Sequence, residues 1–314
     1  MNLKRFIALL SPVDLASIVF LLFITMLNLV FHTRVQQWPT LILVNLAIIV
    51  LIGILAWAAE TKQTKLLIGL HRWYCYFIII FIFKEIYLMV HPIHPVDYDQ
   101  FFISIDRWMF GVNLTEWMMR FAHPVLTEIL QIAYFSYYIL FIVLGVELYR
   151  RYAIEDFDKA AFLIVYGFYL SYLGYFVLPG VGPRFTLHSF SSLELELPGI
   201  LLTDLLRAII NAGESIPRAH PNPIEVVQRD VFPSGHTQLT IIVMTLGLRY
   251  RLKARWFLLV FGSLLIVATV YLRYHYVVDL IAGALLAWFT IWSGDKLGPW
   301  WRKKASRLHA ETLT

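Results

Sequence analysis

The sequence predicts an all-α fold, a polytopic transmembrane helix bundle of about eight spans with one amphipathic helix at the membrane interface. Of the 314 residues, 59% are hydrophobic and only 15% are charged, whereas soluble domains carry about a quarter charged residues. Apolar segments long enough to cross a bilayer recur along the chain, and basic residues alternate between the segments that connect them. These observations exclude an ordinary soluble globule and a disordered chain.

The predicted spans come from a scan for apolar stretches of about 20 residues, the length that crosses the hydrocarbon core. They occupy residues 14–31, 40–59, 72–90, 124–147, 160–178, 236–248, 256–272 and 276–292. The sixth is short, so we expect its outer end to begin inside the membrane boundary. Lys4 and Arg5 precede the first span, but no small-x-small cleavage pattern follows it, so we expect a retained anchor rather than a signal peptide.

The basic residues predict the orientation of this integral membrane protein. About two-thirds of the 26 Lys and Arg residues fall in the N-terminal segment, in every second connection and in the C-terminal tail, which the positive-inside rule marks as cytoplasmic. Both termini are therefore predicted to be cytoplasmic. The long connections 91–123 and 179–236 then lie outside, in a periplasm or a lumen, and a bacterial inner membrane is the expected location.

The net charge and the cysteine content argue against a nucleic-acid partner and against cysteine-based crosslinks. The net charge is +5. Because most of the basic residues lie in the predicted cytoplasmic segments, we interpret this charge as a topology signal, and no nucleic-acid partner is predicted. The single cysteine, Cys75, excludes an internal disulfide and a cysteine-based zinc cluster. The sequence leaves the oligomeric state open.

Residues 197–211, in the second long connection, form an amphipathic stretch. Leu201, Leu205 and Ile209 share one face at helical spacing, whereas Asp204 and Arg207 share the other. The stretch is too polar to span a membrane, so we predict a helix that lies in the interface. A helix that simply packs over the bundle is an equally good interpretation.

Three short segments contain the candidate catalytic and binding residues. The first, residues 178–185 (LPGVGPRF), follows the fifth span. Its glycines and prolines predict a tight exit from the helix, and Arg184 is the first cation beyond that exit. A lone arginine at this depth usually extends to lipid headgroups, but its planar guanidinium also suits bidentate binding of phosphate.

The second segment, residues 232–237 (FPSGHT), begins the sixth span. Ser234 has the chemistry of an N-cap, and Gly235 permits close approach of the backbone. The unpaired N–H groups of a helix start form an anion site, which would place His236 beside a bound anion. A helix cap with an interfacial histidine is the alternative.

The third segment, residues 271–279 (YLRYHYVVD), joins the seventh and eighth spans. His275 and Asp279 are four residues apart, so they share one helix face. A carboxylate on one imidazole nitrogen fixes the tautomer and leaves the other nitrogen as a nucleophile. The alternative is a structural pair that ties the helix end. The predicted orientation puts all three segments on the outer side, which favours a single site.

Together these segments resemble the type-2 phosphatidic acid phosphatase superfamily of membrane lipid phosphatases and phosphotransferases, whose pattern is Lys-x6-Arg-Pro, Pro-Ser-Gly-His and Ser-Arg-x5-His-x3-Asp. The second part is complete at residues 233–236, the third matches at His275 and Asp279, and the first matches at Arg184. The resemblance covers about residues 167–283. The form of the first and third segments is most similar to the inositol phosphorylceramide synthase-like branch.

The chain departs from this pattern at two cations. Val177 stands where the family has Lys, and residues 268–269 are Ala-Thr where the family has Ser-Arg. Arg273 and Arg229 are candidates to supply the lost charge, and Lys84 is a weaker candidate.

The resemblance implies a reaction that needs no metal and no cofactor. It assigns His275 as the nucleophile that becomes a phosphohistidine, Asp279 as the group that orients it, and His236 as general acid and base. It further implies that Arg184 binds the phosphate of the substrate.

The resemblance also implies that Ser234 and the Gly235 N–H bind the phosphate. Arg273 and Arg229 are further candidates for phosphate binding. The implied substrate is a lipid phosphate or a phospholipid in the membrane. Water as acceptor makes the protein a phosphatase and a bound alcohol makes it a transferase, with transfer of inositol phosphate as the alternative main activity.

The motifs also suggest a domain organisation. Residues 1–70 form a two-span anchor without motifs, residues 71–296 form the catalytic helix bundle, and residues 297–314 form a basic cytoplasmic tail.

Three other interpretations were weighed. An intramembrane serine protease would use Ser234 as nucleophile and His275 as base, but such enzymes favour Gly-x-Ser-Gly and Phe232 stands at the first position. A transporter would place its charges near the middle of the membrane rather than at one surface. A metal site is suggested by four residues in the first long connection: His91, His94, Asp97 and Asp99. The prolines between them favour an extended loop, so no metal is predicted.

Overall fold

The computed structural model describes residues 3–217 and 220–311. Within these residues the chain forms α-helices and two short 3₁₀ turns, and no β-strand. In chain order the helices are α1 (Leu3–Ala8), α2 (Pro12–Val30), α3 (Trp38–Lys62), α4 (Lys65–Ile93), α5 (Asp99–Phe110), α6 (Leu114–Met118), α7 (Pro124–Phe135), α8 (Tyr137–Arg151), α9 (Ile154–Val177), α10 (Pro183–Thr186), α11 (Leu193–Glu196), α12 (Thr203–Gly213), α13 (Pro223–Val226), α14 (Gly235–Arg249), α15 (Arg255–Tyr271) and α16 (Val277–Glu311).

The prediction of an all-α polytopic bundle is confirmed, but the number of spans differs. Among the described residues, five helices are long and apolar enough to cross a membrane (α2, α3, α4, α9 and α16), and a sixth span results if α7 and α8 are taken together. These two helices meet at a bend of 47°, where the Ser136 hydroxyl donates to the Ala133 carbonyl at 2.6 Å. Such back-bonding by serine bends helices.

The other two predicted spans are short helices. The α14 helix has 15 residues and α15 has 17, whereas a perpendicular span needs about 20. The count of about eight spans therefore came from apolar composition, which does not show where a helix ends.

The contacts of the chain define two compact units. The first comprises Met1–Ile93, Ala153–Tyr169 and Phe289–Thr314, and the second comprises His94–Tyr152 and Leu170–Trp288. All three motif segments belong to the second unit. The domain limits 1–70, 71–296 and 297–314 stay a prediction, and residues 312–314 of the predicted tail lie outside the described residues.

The first unit is built on α2, α3 and α4. A capping box starts α2, because Ser11 Oγ accepts from the Asp14 N–H at 3.2 Å and Asp14 Oδ2 accepts from the Ser11 N–H at 2.7 Å. The indole N–H of Trp301 donates to the Leu10 carbonyl at 2.8 Å, which ties the C-terminal helix to the start of α2.

The second unit centres on α14 and α15, which pack against each other, with α7 beside α15 and α8 beside α14. The Glu147 carboxylate at the end of α8 accepts from the N–H groups of Lys253 and Ala254 at 2.7 and 3.0 Å. These bonds fix the turn between α14 and α15.

The amphipathic helix is present but begins later than predicted. It is α12, from Thr203, because residues 200–203 instead turn around the carboxylate of Glu128, which accepts from four successive backbone N–H groups. Leu205 and Ile209 are 58% and 47% exposed, whereas Arg207 is 3% exposed. The helix thus presents apolar side chains outward, as expected of a helix in a membrane interface.

Candidate active site

The Pro-Ser-Gly-His segment lies at the N-terminus of α14, as predicted. Ser234 is the N-cap, and its Oγ accepts from the Thr237 N–H at 3.2 Å. The segment is held closely by two neighbouring helices. A Cβ at Gly283 of α16 would come within 2.6 Å of the Ser234 carbonyl oxygen, and one at Gly174 of α9 would collide with the ring of Pro233. Glycine at both positions permits this close approach.

His236 is the second residue of α14, and its imidazole lies among aromatic rings. It stacks on Tyr134 at 4.7 Å between ring centroids and contacts Tyr137 at 4.4 Å. The imidazole of His275 is also close, at 5.8 Å between centroids. The two histidines, which are separated in sequence by most of α14 and by α15, are therefore neighbours in the folded protein.

His275 and Asp279 form the predicted pair, but they do not share a helix face as expected, because α16 begins at Val277 and His275 precedes it. Nδ1 of His275 lies 3.4 Å from Asp279 Oδ2, and the same oxygen accepts from the Tyr276 N–H at 2.8 Å. The Asp279 backbone carbonyl accepts from the Ser234 N–H at 3.1 Å, which joins the second and third motif segments directly.

The charge state of His275 follows from its surroundings. Burial lowers the pKa of His275 well below its usual value, the neighbouring His236 and Arg184 act in the same direction, and a hydrogen bond to the Val231 backbone opposes them. The imidazole is therefore neutral at physiological pH, which is the nucleophilic form.

A continuous stack of side chains connects Arg184 to His236. Its guanidinium lies 4.6 Å from the centroid of the Tyr274 ring, and Tyr274 stacks on Tyr134 at 4.2 Å. Tyr134 in turn stacks on His236. We call this set of four residues the aromatic stack.

The guanidinium of Arg184 is buried and paired. Its Nη2 forms an ion pair with Glu214, and its Nη1 donates to Asn211 Oδ1 at 3.3 Å. Its Nε is buried and has no hydrogen-bond partner. Burial lowers the pKa of Arg184, yet arginine stays charged in proteins, so the site contains a buried cation whose Nε donor has no hydrogen-bond partner.

The first and third segments are joined by their backbones. The Arg184 N–H donates to the Arg273 carbonyl at 3.1 Å. Gly182 has a φ of 94°, in the region that favours glycine, and a Cβ there would lie 2.8 Å from the Tyr274 carbonyl oxygen. The glycine-rich exit predicted after the fifth span is what permits this contact.

Arg273 and Arg229, the candidates for the lost family cations, have their contacts elsewhere. The Arg273 side chain is fully buried and pairs with Glu196 at 2.5 Å, and its Nη2 also contacts Met119 Sδ at 2.6 Å. Arg229 lies 3.5 Å from Asp97 and donates to the Val227 carbonyl at 2.6 Å. Lys84 lies on α4, in the first unit. None of these contacts involves the histidine pair.

Two aspartates of α5 position the motif segments, and the sequence did not identify this role. Asp99 accepts from the N–H groups of Val181 and Gly182 at 3.0 and 2.8 Å and from the Tyr276 hydroxyl at 2.8 Å. Asp106 accepts from the first two N–H groups of α16 at 2.8 and 2.9 Å. The only signal was two acidic residues seven apart on a short helix, which is two turns on one face.

The cluster considered as a metal site is used differently. Asp99 holds the backbone of the first segment, and His94 Nδ1 lies 3.0 Å from the Phe176 carbonyl oxygen. Within residues 3–217 and 220–311, no group of three or more His, Cys, Asp or Glu side chains is placed to hold a metal ion.

This arrangement has the parts of a phosphoryl-transfer site. It places a neutral imidazole with an orienting carboxylate near a second imidazole, beside the N–H groups of a helix start and a buried guanidinium. Candidate nucleophile, proton-carrying and anion-binding groups thus occur together in one unit.

Comparison with known proteins gave one match. The family model of the PAP2 superfamily, the type-2 phosphatidic acid phosphatases named above, matches residues 100–293. Comparisons with curated proteins and with solved structures gave no match, so the more specific resemblance to the inositol phosphorylceramide synthase-like branch stays a prediction. The family match spans more than half of the chain and includes every motif residue, and the protein therefore belongs to the PAP2 superfamily.

Proposed function

We propose that this protein is a membrane lipid phosphatase or phosphotransferase that acts through a phosphohistidine on His275. The observation that carries the proposal is the pair of imidazoles of His236 and His275, 5.8 Å apart between centroids, with Asp279 beside the latter. At this separation both rings can contact one phosphate group, one to attack it and one to move a proton.

The reaction has two steps. In the first, a nitrogen of neutral His275 forms a bond to phosphorus, the ester bond to the leaving oxygen breaks, and the protonated imidazole of His236 donates a proton to that oxygen and becomes neutral. In the second, His236 takes a proton from water or an alcohol, the resulting oxygen attacks phosphorus, and the P–N bond breaks. His275 is then restored as a neutral imidazole.

Charge on the phosphate oxygens is stabilised by Arg184, by Ser234 and by the Gly235 N–H at the start of α14. The Glu214 carboxylate is paired with the Arg184 guanidinium, so an incoming phosphate replaces this carboxylate as the partner of Arg184. Arg273 and Arg229 are assigned to phosphate binding with less structural support, because their present partners are Glu196 and Asp97.

The substrate is a lipid that carries a phosphate ester. The family acts on lipid phosphates in membranes, and the exposed apolar side chains of α12 suit a site that opens at the membrane interface. The distribution of basic residues supports a site on the extracytoplasmic side. Whether water or an alcohol, including inositol-type acceptors, receives the phosphoryl group depends on what else binds beside His236.

The decisive experiment uses purified full-length protein in detergent with a panel of phospholipids and lipid phosphates, and measures released phosphate and headgroup exchange in parallel. With a ³²P-labelled substrate quenched in base, acid-labile label is expected on the wild type and on His91→Ala, a variant of an exposed histidine outside the site. His275→Ala is expected to carry no label and to lose activity.

Other outcomes distinguish the alternatives. Label that persists in His275→Ala would refute the phosphohistidine. Loss of activity on chelation would favour the metal interpretation, and proteolysis that depends on Ser234 would favour the protease. Inhibition by orthovanadate is expected only of the phosphoryl-transfer mechanism.

A further inference from the structure

Three polar side chains meet in the apolar interior of the first unit, apart from any motif residue. Glu85 of α4 is 1% exposed, and Asn28 of α2 and Asn45 of α3 are fully buried. Glu85 Oε1 accepts from Asn28 Nδ2 at 3.0 Å and from Asn45 Nδ2 at 2.8 Å. All three helices are long and apolar enough to cross a membrane. Polar and ionisable groups at such positions are costly and usually functional.

The buried atoms of this cluster that have no hydrogen-bond partner are all acceptors. They are Glu85 Oε2, Asn28 Oδ1 and Asn45 Oδ1. The amide orientation is supported at Asn28, because its Nδ2 also lies 3.5 Å from the sulfur of Met89. The reverse orientation would place its oxygen against two other acceptors.

The three acceptors surround one atom, Glu85 Oε1. Each amide oxygen shares a carbon with a nitrogen that is bonded to Glu85 Oε1, so all three lie within about 5 Å of that atom. The cluster therefore combines one carboxylate with two amide oxygens in a small buried volume contributed by α2, α3 and α4.

We propose that Glu85, Asn28 and Asn45 form a binding site for a small monovalent cation. A proton on Oε2 satisfies that oxygen and at most one of the amide oxygens. A water molecule has two hydrogens for three acceptors and leaves the carboxylate charge uncompensated. A monovalent cation interacts with all three oxygens and neutralises the single charge, and oxygen ligands of this kind suit hard cations.

This site is independent of the phosphoryl chemistry, because none of its residues belongs to the three motif segments. Its position also defines the function. Asn28 lies near the end of α2, Asn45 lies in the first half of α3, and Glu85 lies in the second half of α4, so the cation links these three helices. Binding therefore stabilises the unit against unfolding.

The test measures thermal unfolding of the purified full-length protein in detergent, with Na⁺ or K⁺ replacing choline at constant ionic strength. A saturable rise of a few degrees in the unfolding midpoint is expected with at least one of the two cations. Glu85→Gln is expected to abolish the dependence. Glu60→Gln, which removes an exposed carboxylate in the same unit, is the matched control and is expected to retain it.

A second measurement keeps the test valid if Glu85→Gln fails to fold. Binding of ²²Na⁺ or ⁸⁶Rb⁺ to the wild type should be displaced by the unlabelled ion, and His275→Ala should bind equally well. The proposal is refuted if the wild-type midpoint is the same in all three salts, if Glu85→Gln keeps the cation dependence, or if the midpoint responds to pH alone. A response to pH alone would mean that the cluster holds only a proton.

Discussion

Replacement of Asp99 tests how the site is held together. Asp99 is 4% exposed, and its carboxylate joins the first motif segment, through Val181 and Gly182, to the third segment through Tyr276. In Asp99→Asn, an amide oxygen at the Oδ1 position keeps the bonds from the Gly182 N–H and the Tyr276 hydroxyl, which are both 2.8 Å long. The amide nitrogen then faces the Val181 N–H, which loses its acceptor.

The size of the effect follows from that loss. A buried donor left without a partner costs about 1–3 kcal/mol of folding stability, so the unfolding midpoint should fall. Because the Gly182 region also sets the position of Arg184, we expect kcat to fall by roughly tenfold to a hundredfold, as displacements of about 1 Å do in other active sites.

The assay pairs thermal unfolding with lipid phosphatase kinetics on the same preparations. Asp204→Asn, whose parent side chain is 81% exposed, is the control and should change neither quantity. If Asp99→Asn keeps the wild-type midpoint and the wild-type kcat, the inference that Asp99 positions the two segments is wrong.

Three further predictions concern the site. Glu214→Gln should lower the inhibition constant of inorganic phosphate severalfold, because a neutral amide competes less well for Arg184; an unchanged or higher constant would contradict the exchange. Gly283→Val should destabilise the protein by about 1–3 kcal/mol and reduce activity, since its side chain would meet the Ser234 carbonyl, and normal unfolding and kinetics would disprove this contact. For a phosphodiester substrate, kcat/KM should not decrease as the pH is lowered below 6.5, because burial lowers the pKa of His275, which therefore stays in its reactive neutral form, while lower pH favours the protonated His236 that acts as the acid; a loss of kcat/KM on acidification with a midpoint above pH 6.5 would exclude this.

The sequence was informative wherever a property depends on neighbouring residues. Apolar stretches identified the long helices, because a chain in a membrane must satisfy its backbone within each helix. The spacing of His275 and Asp279 predicted a pair, and the pair forms although His275 lies just before the start of α16. Local patterns predicted the ends of helices less reliably. The bend at Ser136 and the start of α12 at Thr203 are two examples.

The sequence by itself determined that this protein is a membrane-embedded helical bundle, and it predicted a nucleophile, a proton carrier and an anion-binding helix start. Only the tertiary structure decided what surrounds them. Asp99 and Tyr276 are 177 residues apart, and the aromatic stack joins Arg184 to His236 through rings from two other segments. Such contacts arise from the packing of distant helices, and no local periodicity encodes which side chains of those helices will meet.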